Sequence, residues 1–243
     1  MIPVCLFAAF VSNAQEAEPI EADRPDQTET PAIVPKAMFQ METGFSYQRN
    51  TLASETLSLP SVLLKYGVNE RFELRLITEY VLDKTRDDKT SGFTPVLIGC
   101  KINICEEKGI FPKTSFIGHI ALPNVASTKH KNDFYAPKFR FTMQHTLSKK
   151  LSLSYNLGSE WDGFTPEPTF IYTLSAGYAV TEKLSSYLEV FGFAPQKDIA
   201  EHNIDGGFTY LISNNFMVDL SSGFGITSNA PDYYVAVGCS FRL

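Results

Sequence analysis

The stretch Tyr233-Tyr-Val-Ala-Val-Gly-Cys-Ser-Phe-Arg-Leu243 decides the fold. Side chains alternate across a β-strand, so Tyr233, Val235, Val237, Cys239, Phe241 and Leu243 share one face. Tyr234, Ala236, Gly238, Ser240 and Arg242 share the other. One face is apolar, and its opposite is small or polar. A chain closing on such a strand fits either a terminal strand of a soluble sandwich or the last strand of an outer-membrane β-barrel.

The same alternation recurs upstream. Phe39, Met41, Phe45 and Tyr47 oppose Gln40, Glu42, Gly44 and Ser46, and Phe72, Leu74, Leu76, Tyr80 and Leu82 oppose Glu73, Arg75 and Glu79. Phe139, Phe141, Met143 and Leu147 oppose Lys138, Arg140, Thr142 and Gln144. Residues 151–161, 168–180 and 215–226 repeat the pattern, and weaker strands fit at 55–66, 94–104, 114–122, 184–194 and 202–212. With the closing strand the total is twelve, an even number as single-chain bacterial barrels require. The parity of 55–66 breaks near Pro60, which predicts a bulge there.

Loop lengths separate the two readings. Gly67–Arg71, Ser148–Lys150, Thr181–Lys183 and Ser213–Asn215 read as tight turns, whereas Asp83–Phe93, Pro123–Tyr135, Asp162–Glu167 and Pro195–Glu201 read as longer polar loops. Short and long connections alternate, apart from the Glu106–Lys113 turn after the fourth strand. Barrels of the outer membrane carry short periplasmic turns and longer external loops. A sandwich has no reason to sort loops this way. The expected fold is therefore all-β: a transmembrane antiparallel up-and-down barrel of about twelve strands over 38–243, with both termini periplasmic. A sheet whose outer face meets lipid must close, because unpaired edge groups find no partner there.

Composition is compatible with this. The 243-residue chain has a formal net charge of −6 and a pI near 5.3. No apolar run is long enough for a transmembrane helix. Near-neutral mean hydropathy does not exclude a barrel, because polar neighbours hide its membrane face. Residues 1–14 read as a secretory signal peptide, with an apolar core Ile2–Val11 and a Ser12-Asn13-Ala14 cleavage pattern. Residues 15–37 are acidic, proline-rich and aperiodic, an irregular periplasmic segment ahead of the barrel. Cys100, Cys105 and Cys239 show neither metal spacing nor a disulfide framework.

The charges gather on the face assigned to the lumen: Glu42, Glu73, Glu79, Glu160, Glu189, Asp205 and Asp219 against Lys65, Arg75, Lys101, Lys138, Arg140 and Arg242. Glu73, Arg75 and Glu79 are expected to face Lys101. Two readings stay open, an ion-pair network propping up a narrow barrel and a pore lining that binds or screens small solutes. The near balance of signs argues against strong ion selectivity.

Catalysis finds little footing. Some twelve-stranded barrels are phospholipases with a Ser/His pair, but His145 falls on the apolar face near the outer end of its strand. Ser152 and Ser154 have the wrong parity to meet it. No nucleophile-elbow, zinc-protease, phosphate-loop or dinucleotide fingerprint occurs. No enzyme, cofactor or metal is expected, and the acidic balance disfavours nucleic acid.

Asp23-Arg-Pro-Asp-Gln-Thr-Glu-Thr-Pro31, Val34-Pro-Lys36, Phe39-Gln-Met-Glu-Thr-Gly-Phe45, Leu59-Pro-Ser-Val-Leu-Leu-Lys-Tyr-Gly67 and Glu70-Arg-Phe-Glu-Leu-Arg75 carry a resemblance. The chain resembles an outer-membrane family named for a meta-pathway of phenol degradation and often labelled "transporter". The resemblance implies a Gram-negative outer-membrane barrel, loosely associated with catabolism of aromatic compounds. The expected function is a passive channel for small solutes, aromatic ones included. The alternative is a non-conducting structural or surface-interaction barrel with a filled lumen. Expected partners are outer-membrane lipid and, through the C-terminal strand, the barrel-assembly machinery. Asp23, Arg24, Asp26 and Glu29 form a charged cluster at the barrel mouth, either a constriction or gate or a proline-stiffened tether.

Overall fold

The computed structural model describes residues 18–51 and 54–243; the signal-peptide expectation for 1–14 falls outside them. Thirteen strands are formed: β1 (Phe39–Thr51), β2 (Ser54–Asn69), β3 (Phe72–Thr85), β4 (Lys89–Phe93), β5 (Leu97–Cys105), β6 (Lys113–Ala121), β7 (Ala136–Thr146), β8 (Leu151–Glu160), β9 (Thr169–Ala179), β10 (Leu184–Pro195), β11 (Glu201–Ser213), β12 (Phe216–Gly225) and β13 (Tyr233–Arg242). Each pairs antiparallel with its neighbours, and β1 closes the ring against β13 from Gln40↔Arg242 to Arg49↔Tyr233. The strand that decided the fold is thus the closing stave.

The barrel has twelve staves, because β4 and β5 together occupy one. β5 pairs with Phe72–Ile77 of β3, and β4 with Tyr80–Lys84. Thr94–Val96 separate them, and Pro95 has no N–H to add to the ladder. The expected loop at Asp83–Phe93 is therefore corrected: most of it is a β3–β4 hairpin arm with a turn at 86–88. The ladder continued because that stretch alternates well enough to pair. The bulge near Pro60 is present as register shifts between Ser58 and Ser61 and between Gly44 and Ser46. The anomalous Glu106–Lys113 turn is a small protruding hairpin, with Lys108 and Phe111 paired and Gly109 at a φ of +61°.

The distribution of side chains is inside-out relative to a soluble domain. Lys101 and Glu73 are fully buried, whereas Leu157 and Leu188 on the outer face are 55% and 60% exposed. Lysine and glutamate are almost never so buried unless paired, and large exposed apolar bands mark a lipid or protein partner. The alternation predicted from the sequence sets this arrangement directly: Phe141 points out, Arg140 and Thr142 point in.

Candidate functional site

The lumen is occupied by the chain's own N-terminal segment. Residues 18–36, read from sequence as a segment ahead of the barrel, thread into it from the end carrying the short turns. Ile20 N–H donates to the Asn214 carbonyl at 2.8 Å at that rim, and the Arg242 guanidinium donates to the Glu18 carbonyl. The segment leaves at the same rim, where Ala37 N–H donates to Gly67 O at 2.7 Å. Prolines at 19, 25, 31 and 35 keep it from becoming a strand, so its amides need acceptors outside a ladder. Lumen side chains supply them. Glu42 accepts from Asp23 N–H (2.9 Å), Glu189 from Gln27 N–H (2.8 Å), Asn156 from Glu29 N–H (2.7 Å) and Glu73 from Val34 N–H (2.8 Å).

Asp23 is the hub. Its carboxylate accepts from Lys101 at 2.8 Å, Arg75 at 2.9 Å and Lys65 at 3.1 Å, three bases from β5, β3 and β2. Burial pushes the Asp23 carboxyl up, but Lys101, Lys65 and Arg75 overcome it and hold it well below the usual range. Lys65 also pairs with Glu42, and Arg75 with Glu29 at 2.7 Å and Glu73 at 3.3 Å. Burial raises Glu29 too, yet Arg75 brings it below its ordinary value. The sequence placed Glu73 opposite Lys101, and the register does so. The partner that the sequence did not supply for Lys101 is Asp23.

Arg24 reaches across to Asp219 on β12, with N–O distances of 2.9 and 3.3 Å. Its guanidinium lies over Gly44 and Gly238, a directly paired couple on β1 and β13. A Cβ at either position would come within 2.3–2.5 Å of the guanidinium group. Further along, Thr28 Oγ1 donates to Glu189 and lies 2.6 Å from Thr173 Oγ1. The Gln27 and Pro31 carbonyls accept from Arg140 and Ser115 at 2.8 and 2.7 Å. Gln27, Thr28, Asn156, Thr173, Ser115, Gly44 and Gly238 were not singled out in the sequence. Only the facing glycines carried a signal, a gap on the lumen face of two adjacent strands.

The pore-lining expectation is thereby corrected in part. All eleven nominated wall residues face the lumen. Glu42, Glu73, Arg75, Lys101, Glu189, Asp205 and Asp219 are covered, however, because the inserted segment lies against them. Glu79, Lys138, Arg140 and Glu160 border residual space of about 210 Å³ beside Glu29, and Arg242 sits at the short-turn rim with Asn215. Two larger cavities remain. One, of about 400 Å³, opens at the short-turn end and is lined by Asp26, Ser152, Ser154, Ser175, Lys149 and Tyr187, among others. The other, of about 340 Å³, faces the long loops and is lined by Gln48, Ser58, Glu79, Phe191, Phe193, Asn203 and Tyr234, among others. Arg24 and Pro25 belong to both linings, so they form the partition. Asp26, beside them, is pushed up to about 7 by burial, with repulsion from Asp205 and Asp23 adding to it.

His145 keeps the apolar outer face expected of it, and only its place along the strand is corrected, from the outer end to the short-turn end. It lies one residue from the short-turn end of β7, on the outer face, 3.3 Å from the Tyr155 hydroxyl. Among the described residues no group of three or more His, Cys, Asp or Glu could hold a metal ion.

A closed twelve-stave barrel with lipid-type side chains outside and charges within is the architecture of an outer-membrane β-barrel. Residues 22–243 match the family described as "Putative MetA-pathway of phenol degradation", and the chain belongs to that family. The match begins inside the inserted segment, so the insert is part of what defines it. The fold is similar to that of the COG4313 outer membrane channel from Pseudomonas putida F1, at 10% identity and a TM-score of 0.72 over 92% of this chain and 100% of that one. It is also similar to the NanC porin (9% identity, TM-score 0.57, 84% and 100% covered) and the KdgM porin (10%, 0.55, 83% and 98%). No curated protein matches by sequence.

Proposed function

We propose that this protein is a passive channel of the outer membrane whose conducting path is set by residues 18–36. The long loops face outward and both termini face the periplasm. The single observation that carries this reading is the partition: two cavities meet at Arg24-Pro25, a segment that is not part of the wall. A rearrangement of this segment would join them without altering a strand. The proteins of similar fold bear the names channel and porin, which supports the same class of activity here. Phe191 and Phe193, edge-to-face at 5.9 Å, and Tyr234 beside polar Gln48, Ser58 and Asn203 suit small amphipathic solutes, aromatic ones among them.

A lipase-type reading draws no support from the geometry, since His145 faces outward and Ser152 and Ser154 face inward. The second reading, a non-conducting barrel with a filled lumen, is favoured by the number of hydrogen bonds holding the insert. Planar-bilayer recording separates the two. The channel predicts small unitary steps that grow several-fold when residues 18–34 are removed. Absence of steps from both proteins would leave only the filled barrel.

A further inference from the structure

The connection that breaks the alternation of short and long loops also differs from the other short turns in its chemistry. Gly67–Arg71, Ser148–Lys150, Thr181–Lys183 and Ser213–Asn215 present Glu70, Lys149, Glu182 and Asn214 at that end of the barrel. The hairpin Glu106–Lys113 presents Ile110 and Phe111 instead, 85% and 66% exposed. Ile110 is more exposed than any other large apolar side chain among the described residues.

That exposure is built in. Lys108 and Phe111 exchange both backbone hydrogen bonds, at 2.9 and 3.1 Å, and Gly109 supplies the positive φ that so tight a turn requires. Polar contacts hold the base of the arm. Asn103 donates to the Glu106 carboxylate at 2.9 Å, and Lys113 lies 3.8 Å from the same group. Thr146 N–H, at the end of β7, donates to Glu107 at 2.9 Å. The base is thus satisfied by the chain, while the two apolar side chains at the tip are left uncovered.

What covers them follows from what lies beside them. Ile102 and Ile104, exposed on the outer face of β5, lead down to the base of the arm, and exposed Leu147 follows the Thr146 tie. The tip therefore continues the lower edge of the apolar band that faces lipid. Apolar side chains held in water at the margin of a bilayer gain by entering its acyl boundary. The arm carries three residues a side past the last ladder pair of β5 and β6, a reach of roughly 10 Å.

We propose that the Glu106–Lys113 hairpin is a membrane anchor, with Ile110 and Phe111 seated among the acyl chains of phospholipids in the periplasmic leaflet. Its charged base lies at headgroup level. The anchor fixes the depth of the barrel at one point of the rim. It requires a barrel in lipid and is independent of conduction.

The test uses the full-length protein in lipid nanodiscs, whose two faces both meet the buffer. Trp161 is the single tryptophan of the chain, so Phe111→Trp in a Trp161→Phe background reports on the tip alone. Heat-modifiable gel migration follows folding. Phospholipids brominated on their acyl chains should quench most of the emission and iodide little. Lys149→Trp in the same background, on the neighbouring polar turn, should show the reverse. Iodide quenching at 111 equal to that at 149, without bromine quenching, would place the tip in water and overturn the proposal. Bromine quenching at both positions would overturn it as well, by assigning the insertion to the indole rather than to the hairpin. An indole shielded from both quenchers would mean that a second copy of the chain covers the tip, and the lipid assignment would fall.

Discussion

Asp23 and Lys101, 78 residues apart in sequence, meet at 2.8 Å inside the barrel, where Arg75 and Lys65 complete a three-base clasp on one carboxylate. The aspartate belongs to the insert and the bases to three different strands. This contact joins the two parts of the molecule.

Asp23→Asn should loosen the insert while leaving the barrel closed. Removing one member of a buried ion pair costs about 3–5 kcal/mol, because the remaining charges lose their partner. The expected outcome is faster protease cleavage within residues 18–36 and a larger open fraction in bilayer recordings. Unchanged cleavage would mean that the backbone hydrogen bonds alone seat the segment.

Gly44→Val should mimic loss of Arg24. Its Cβ would fall 2.3 Å from the Arg24 guanidinium carbon. That guanidinium ends a flexible side chain and can move, so the displaced contact is Arg24–Asp219 rather than the wall. Matching conductance in Gly44→Val and Arg24→Ala, with normal gel migration of the folded form, is the predicted result.

The insert should be held less tightly as pH rises from about 5 to 8. Asp26 titrates near 7 when seated, above its value in a free chain, so the seated state binds the extra proton. Its favourable contribution is complete below the free-chain value and is lost as pH rises through about 7. Asp23 and Glu29 act oppositely: their lowered values stabilise the seated state above the usual carboxylate range, and that contribution is lost as pH falls through their seated values. Open probability measured between pH 5 and 8 should increase in the wild type. Asp26→Asn should flatten the change.

Leu157→Arg should impair membrane stability without affecting the lumen. Leu157 lies mid-strand on the outer face, and arginine on the lipid face near the midplane costs about 2–4 kcal/mol. Denaturant unfolding from vesicles should register that loss, whereas Ser154→Ala on the lumen face of the same strand should be close to neutral.

The barrel was legible in the sequence because its rule is local. Alternation fixes which of Phe141 and Arg140 faces lipid without knowledge of any other strand, and the parity break at Pro60 located a register shift that the structure contains. The β4 arm was missed because polar Lys89-Thr-Ser-Gly-Phe93 carries turn residues, yet pairing with an existing β3 edge suffices to extend it. The site was legible only as a list. Asp23, Arg24, Asp26 and Glu29 stood out, but their partners lie about 20–200 residues away on six strands, and an aperiodic segment gives no register from which to place them. The unequal sharing of bases followed from that path and could not be read from totals.

The insert is fastened at one rim on both sides of its loop, by Ile20 to Asn214 and by Ala37 to Gly67. A pull on whatever chain is attached ahead of Glu18 would first load the rim contact and only afterwards the Asp23 clasp. The rim contact would take that load before the ion pairs of the insert, so a bulky domain fused ahead of Glu18 should leave the resting conductance unchanged.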